Sequence, residues 1–261
     1  MNANGSAPVL SLKGVSKSFG PVQALSDVDF DVHSGEVVAL VGDNGAGKST
    51  LVKTIAGIHS PDSGTISFEG QDVHITNPAD AVDLGIATVY QDLALCDNLD
   101  VVENLFLGRE ERSGGPVGVV APLDEVGMEK QTGELLENLA VTITDVRAEV
   151  GTMSGGQRQQ VAIARSLLGE PKLVMLDEPT AALGVRQTAQ VLALVKRLRE
   201  RGYGVVVISH NLADVFEVAD RIYVLRLGRE AGDFKAGEAS QEEVVGAITG
   251  AGASGNGGGK R

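Results

Sequence analysis

Gly42-Asp43-Asn44-Gly45-Ala46-Gly47-Lys48-Ser49-Thr50 fits the spacing G-x-x-x-x-G-K-[ST]. Those residue types at that spacing suit phosphate chemistry. Glycines let a loop curl until several backbone N–H groups converge on phosphate oxygens. A helix starting inside the loop adds unpaired donors and a partial positive charge at the same point. Lys48 can then reach β- and γ-phosphates, and the Ser49 hydroxyl can ligate Mg²⁺. The pattern carries weight only between a strand and a helix. Both flanks are present, because the apolar run Val37–Val41 precedes it and Leu51-Val52-Lys53-Thr54-Ile55-Ala56 opens a helix. The stretch therefore predicts a nucleoside triphosphate site rather than an ordinary Gly-rich turn.

Further polar residues follow apolar runs. Gln91 ends Ala87-Thr88-Val89-Tyr90, Asp177 and Glu178 follow Leu173–Leu176, and His210 follows Val205–Ile208 and Ser209. Ligands of open α/β sheets bind at the C-terminal strand ends, so these residues are expected to converge on the phosphates. Asp177 is the expected second partner of Mg²⁺. Glu178 can orient an attacking water or accept its proton. His210 is placed to touch the γ-phosphate, and Gln91 is a candidate both for catalysis and for the metal. Any one of them could be a polar strand end facing solvent; four together make that reading weak. A second anion site is expected at Ser154-Gly155-Gly156-Gln157, where a hydroxyl and glycine amides open a helix 112 residues after Gly42.

The elements that must hold these groups alternate. Val9–Val15 and Val28–Val32 have the polar–apolar alternation of half-exposed strands, and Thr65–Phe68 is another short one. Asn77-Pro78 caps a helix through Leu84, closed by Gly85. From about 95 to 168 the β pattern vanishes, and helices are expected over 101–107, 123–139 and 156–168, with a Gly-rich loop over 113–116. After 173 come a helix with Val191, Leu194, Val195 and Leu198 on one face, a strand at Val205–Ile208, and short strands at Ile222–Leu225 and Arg229–Phe234. Ser240 and Glu243 form a capping box for a last helix through Ile248. The fold class is α/β: a P-loop NTPase core with a mostly parallel sheet, an N-terminal antiparallel β-subdomain and an inserted helical subdomain at about 95–168. Residues 9–249 form the domain, between a flexible leader at 1–8 and a disordered Gly-rich tail at 250–261.

Composition excludes several classes. The net charge of −13 and the lack of a basic cluster beyond the Lys196–Arg201 helix face argue against nucleic acid as a partner. One cysteine, Cys96, rules out an internal disulfide and suits a small buried side chain in a reducing compartment. No apolar run approaches the ~20 residues of a membrane span, and residues 1–8 lack a signal-peptide pattern. A soluble cytoplasmic protein is expected, with any membrane part supplied by another chain.

Ser154-Gly155-Gly156-Gln157, with Arg158-Gln159-Gln160 and the helix behind it, resembles the signature segment of ATP-binding cassette (ABC) proteins. The order of motifs over residues 9–249 is similar as well. The resemblance implies ATP with Mg²⁺, Phe19 stacked on adenine, and Ser154–Gln157 completing a partner copy's site. It further implies transmembrane permease subunits contacted near the Gln91 loop and the helical subdomain, at the inner face of the plasma membrane. Two departures stand out. Met153 replaces the usual leucine before the signature serine. Ala181-Ala182-Leu183-Gly184 ends in Gly184 where the family has an aspartate bridging the two sites. Gly42–Ser49, Tyr90–Leu95 and Ala181–Gly184 look like the ATPase subunits of monosaccharide (ribose, xylose and fructose) importers, which act with a sugar-binding protein. Another cargo or an exporter, a nucleic-acid or ribosome-directed cassette protein, and a nucleotide switch with little hydrolysis are the alternatives.

Overall fold

The computed structural model describes residues 7–113 and 121–251. Of the expected leader only Ala7 and Pro8 fall within it, and of the tail only Gly250 and Ala251. Residues 114–116 of the expected Gly-rich loop lie outside the described residues.

Two sheets carry the fold. The strands β1 (Leu10–Phe19), β2 (Val22–Val32), β4 (Ser63–Phe68) and β5 (Gln71–Val73) form an antiparallel sheet in the order β2-β1-β4-β5. The central sheet joins β3 (Val37–Val41), β6 (Ile86–Val89), β7 (Leu173–Asp177), β8 (Gly204–Ile208), β9 (Arg221–Arg226) and β10 (Arg229–Lys235) in the order β10-β9-β3-β8-β7-β6. Strands β9, β3, β8, β7 and β6 are mutually parallel, and β10 returns antiparallel at the edge. Every residue of β3 and β8 is buried, which is why both read as unbroken apolar runs.

Among the described residues, eight helices surround the sheets: α1 (Lys48–Ile55), α2 (Pro78–Asp83), α3 (Val101–Phe106), α4 (Glu125–Asn138), α5 (Gly155–Leu167), α6 (Val185–Glu200), α7 (Leu212–Val218) and α8 (Gln241–Thr249). Helices α3, α4 and α5 occupy the predicted helical stretch, where the described β pairing is limited to the isolated bridges Asp100–Glu149 and Arg112–Leu123. Their apolar faces, with Val101, Leu105, Leu136 and Ile163, share one core with α6 and with Val174 and Leu176 of β7. Fully burying each such side chain contributes about 1.5–3 kcal/mol, so the helical segment is anchored to the sheet and not loosely appended. Cys96 is half-buried, less so than expected. Asn104, fully buried, holds its loop by accepting from the Cys96 N–H at 2.8 Å and donating to the carbonyls of Cys96, Leu99 and Asp100.

The two sheets are tied by a buried cation. Arg221 donates to Glu36 at 2.9 Å, to Asp233 at 2.7 Å and to the Asp31 carbonyl on β2. Its carboxylate neighbours hold the guanidinium charged against the cost of burial, with a pKa raised above the ordinary arginine value. Removing one partner of such a buried pair costs about 3–5 kcal/mol. Beside it the Tyr223 hydroxyl donates to the Asp29 carbonyl at 2.6 Å, and its ring meets Phe30 edge-on at 5.0 Å. The basic face of α6 is answered by α7 and the turn after it: Lys196 pairs with Glu217 of α7 at 3.1 Å and Arg199 with Asp220 at 2.8 Å.

Candidate functional site

Strand order decides which predicted residues meet. Because β3, β8, β7 and β6 are adjacent and parallel, the phosphate loop, His210, the Asp177–Glu178 pair and Gln91 all leave the same edge of the sheet. The Glu178 N–H donates to the Ile208 carbonyl at 2.9 Å and locks the ends of β7 and β8 together.

The loop that opens α1 is shaped by glycines where nothing else fits. A Cβ on Gly42 (φ +150°) would lie 2.2 Å from the Leu225 carbonyl oxygen. One on Gly47 (φ +108°) would lie 2.7 Å from the Ala24 carbonyl oxygen on β2. The antiparallel sheet thus presses directly on the loop. Gly47 is the N-cap of α1, which has no side-chain cap and no acid in its first turn. Its first N–H groups are therefore left for an anion. Lys48 folds back, donating to the carbonyls of Gly42 at 2.6 Å and Asp43 at 3.0 Å. Burial lowers its pKa, opposed by the charges of Glu178, Asp43 and Asp177. The Ser49 side chain is exposed and makes no hydrogen bond among the described residues.

Asp177, at the end of β7, has its carboxyl pKa raised by burial and then by the Glu178 charge, with Lys48 and Lys53 pulling the other way. Glu178 adopts a left-handed backbone (φ 51°), an uncommon state for a non-glycine residue that costs on the order of 1–2 kcal/mol. The turn behind it is pinned by the Ala181 N–H to the Glu178 carbonyl (3.1 Å) and by the Thr180 hydroxyl to Asp214 on α7 (2.7 Å). The twisted backbone carries the Glu178 carboxylate to Nδ1 of His210, 2.9 Å away. Glu178 is mostly enclosed, whereas the His210 side chain is 74% exposed.

The remaining candidates sit apart. Gln91 lies on the exposed loop after β6 and lines a cleft with Gly155, Arg158, Ala182 and Leu183. No hydrogen bond among the described residues joins it to Ser49 or Asp177. Phe19 ends β1, 43% exposed, with the His59 ring edge-on at 5.0 Å and the Lys17 ammonium 5.7 Å from its centre. Lys17 is held in turn by Asp62 at 2.7 Å. Ser154 caps α5, accepting from the Gln157 N–H at 3.4 Å while Gln157 Oε1 accepts from the Ser154 N–H at 3.1 Å. It makes no hydrogen bond to residues 42–50. Gly184 caps α6 without a side chain; only Gln187 Oε1 reaches back to its N–H at 3.2 Å.

Sequence reasoning missed His59, Lys17, Thr180 and Asp214, all supports of the site. Asn211, whose side chain accepts from the Ala213 N–H at 3.1 Å to start α7, was the available signal for the last of them.

Known proteins resemble this chain in sequence and fold. The family described as ABC transporter matches residues 25–181. The chain is 46% identical to the fructose import ATP-binding protein FrcA of Rhizobium meliloti, over 94% of this chain and 95% of that one. It is 45% identical to the xylose/arabinose import ATP-binding protein XylG of Sulfolobus acidocaldarius, over 92% and 94% respectively. Ribose import ATP-binding protein RbsA 1 of Rubrobacter xylanophilus is 44% identical over 91% of this chain but only 46% of its own length. A solved ATP-binding cassette in its ADP conformation superposes with a TM-score of 0.79 at 28% identity, covering 94% of this chain and 96% of that one. Another solved relative, with a TM-score of 0.71 and 26% identity over 87% of this chain and 98% of its own, is described as the dimeric structure of a bacterial ABC transporter cassette. On motif order, fold and these likenesses, the chain belongs to the ATP-binding cassette family of ABC transporters.

Proposed function

We propose that this chain is the ATP-hydrolysing subunit of a monosaccharide importer, working as a pair of copies beneath transmembrane permease subunits. One observation carries the hydrolytic part: Lys48, Asp177 and the Glu178–His210 pair face an uncapped helix N-terminus at a single sheet edge. Phosphates settle on the N–H groups of 42–50, with Lys48 turning from its own loop carbonyls toward the β- and γ-oxygens. Glu178 orients a water for in-line attack at the γ-phosphorus; the new P–O bond forms as the bond to ADP breaks. The water proton passes to the carboxylate or to the phosphate oxygens. His210 steadies Glu178 through Nδ1 and leaves its other ring nitrogen for the γ-phosphate.

The donor set fits Mg²⁺. Among the described residues no cluster of three or more His, Cys, Asp or Glu could hold a metal alone. Mg²⁺ keeps several waters and shares substrate phosphates, so it needs only one or two protein oxygens. Ser49 and Asp177 would supply them, with Gln91 as a further candidate donor. Burial and then the Glu178 charge raise the Asp177 carboxyl pKa, so a cation beside it would favour its ionised form. When bound, Mg²⁺ neutralises charge developing on the β- and γ-oxygens.

The partners rest on other observations. The separation of Ser154 from the phosphate loop supports a site completed by a second copy, and Phe19 with His59 beside it supports an adenine platform. A groove of about 330 Å³ lined by Tyr90, Leu93, Arg109, Ala162 and Arg165 supports permease contact near the Gln91 loop. No helix among the described residues is long and apolar enough to cross a membrane, consistent with a peripheral subunit on the cytoplasmic face. The named cargoes of the relatives support a sugar, delivered by a binding protein.

Glu178→Gln tests the chemistry. Turnover should fall by about 10²–10⁴-fold while ATP binding is kept, measured by steady-state hydrolysis and by nucleotide titration. Unchanged turnover would remove Glu178 from the reaction.

A further inference from the structure

Two chain segments flank the reacting groups, and they are tied twice. One runs from Glu178 through the turn that follows β7; the other runs from His210 into α7. The first tie is Glu178 to His210 Nδ1 at 2.9 Å. The second lies behind it, where the Thr180 hydroxyl donates to Asp214 Oδ2 at 2.7 Å. The turn needs outside support. Glu178 (φ 51°) and Ala182 (φ 58°) both adopt left-handed backbone, a state that persists in non-glycine residues only where the surroundings over-determine it. The turn's own hydrogen bonds are local: the Ala181 N–H to the Glu178 carbonyl at 3.1 Å and the Leu183 N–H to the Thr180 carbonyl at 3.3 Å. Of Pro179, Thr180, Ala181, Ala182 and Leu183, only Thr180 has a side chain that can hydrogen-bond.

The acceptor departs from the ordinary use of its position. Asp214 is the third residue of α7 after the N-cap Asn211, where an acid ordinarily reaches back to the cap's own N–H and closes a capping box. Here the Asn211 N–H donates to Ser209 Oγ at 3.0 Å instead, and Asn211 caps the helix by accepting from the Ala213 N–H. The Asp214 carboxylate is left to reach across to the turn after β7. We propose that Asp214, acting through Thr180, is a positioning residue for hydrolysis: it fixes the turn that aims Glu178, and it lies outside the residues assigned to nucleotide, metal or water. The proposal rests on the reading of Glu178 as the group that orients the attacking water. Without the tie the turn loses its only side-chain anchor to α7. The aim of Glu178 then degrades, while the phosphate loop between β3 and α1 keeps its grip. A misplacement of about 1 Å at a reacting centre costs up to about 100-fold in rate. The signature is therefore a fall in kcat with ATP affinity kept.

The test is steady-state hydrolysis and nucleotide titration of the full chain with Mg²⁺. Thr180→Val keeps the side-chain shape and removes the donor; Asp214→Leu removes the acceptor. Each should lower kcat at least about tenfold and leave the ATP Kd within about twofold. Thr180→Ser and Asp214→Asn, which keep a hydroxyl donor and an acceptor oxygen, should recover kcat to within about threefold of wild type. A double variant carrying Thr180→Val and Asp214→Leu should be no slower than the slower single one, because both changes remove the same contact. Unchanged kcat in either single variant, affinity lost in step with kcat, no recovery in the conservative variants, or losses that multiply in the double variant overturn the proposal. If Asp214→Leu does not fold, Thr180→Val against Thr180→Ser decides the matter alone. Glu178→Gln run alongside separates the two claims. Normal turnover in Glu178→Gln removes the reading beneath the proposal, whereas an inactive Glu178→Gln beside wild-type kcat in Thr180→Val removes the proposal only.

Discussion

Two glycine-bearing helix starts, at α1 and at α5, look alike on paper and are built in opposite ways. At α1 the loop is held by glycines with left-handed φ, wedged against the Leu225 and Ala24 carbonyls, and no side chain caps the helix. At α5, Gly155 and Gly156 have ordinary φ, and Ser154 with Gln157 closes a full capping box. The first is a preorganised cradle whose opening helix N–H groups have no side-chain cap. The second has already satisfied part of its donors and keeps only the serine O–H and a few amides for an anion. A site that grips by itself needs the strained loop; one that completes another's needs only to present a rigid edge. Gly156 serves that rigidity, since a Cβ there would lie 2.8 Å from Gln187 on α6.

This contrast can be broken by substitution. Gly42→Ala drives a methyl into backbone and should abolish ATP binding, by more than about 100-fold in Kd, whereas Gly155→Ala meets only a leucine methyl at 3.3 Å and should leave Kd within a few-fold. Nucleotide titration of both proteins reads the difference. Equal effects would mean the two turns are not differently built.

The next effect is smaller and has the opposite sign for stability. Burial beside Glu178 raises the Asp177 carboxyl pKa in the folded chain, so the folded state holds that proton more tightly than the unfolded one. Stability from this group is fully present below the unfolded pKa and is lost as pH rises through the folded pKa. Without nucleotide, Asp177→Asn should therefore raise Tm at pH 7, on the order of 2 °C, with the gain fading toward about pH 4 as the wild-type acid protonates. Thermal melts at both pH values check it, and a lower Tm at pH 7 contradicts the assignment. The same variant should hydrolyse ATP poorly.

Gly184→Asp should give the smallest change. The Gly184 backbone is extended (φ −74°, ψ 161°) and a Cβ meets nothing nearer than 3.8 Å, so an aspartate fits and can cap α6. The gain expected over glycine is a few tenths of a kcal/mol, seen as a shift of about 1 °C or less in Tm. A clear loss of stability would show that the glycine has a role the backbone does not reveal.

Much of this was legible in the chain. Runs such as Val37–Val41 and Val205–Ile208 are buried on both faces, so composition alone marks them as central parallel strands, and their polar followers had to share an edge. What escaped was long-range or short. β5 is three residues with no buried side chain, and α7 is seven residues. Strands β1 and β2 run longer than their alternation suggests because register shifts between Leu12 and Ser18 interrupt the pattern. Nothing in the sequence couples Glu36 to Arg221 across 185 positions, or aims Glu178 at His210, since that contact depends on a left-handed backbone at a residue that rarely adopts one. The Phe19–His59 contact is likewise made by two elements that meet only after folding.

The central claim is that Ser154 serves a neighbouring copy and Lys48 its own. Mixing Lys48→Ala chains with Ser154→Arg chains tests it directly, through the rate of ATP hydrolysis. Each variant alone should be nearly inactive, and a 1:1 mixture should recover up to about a quarter of wild-type activity, because half the dimers then carry one intact composite site of two. A Ser154→Arg chain that hydrolyses ATP at the normal rate on its own, or a mixture that recovers nothing, would contradict the account.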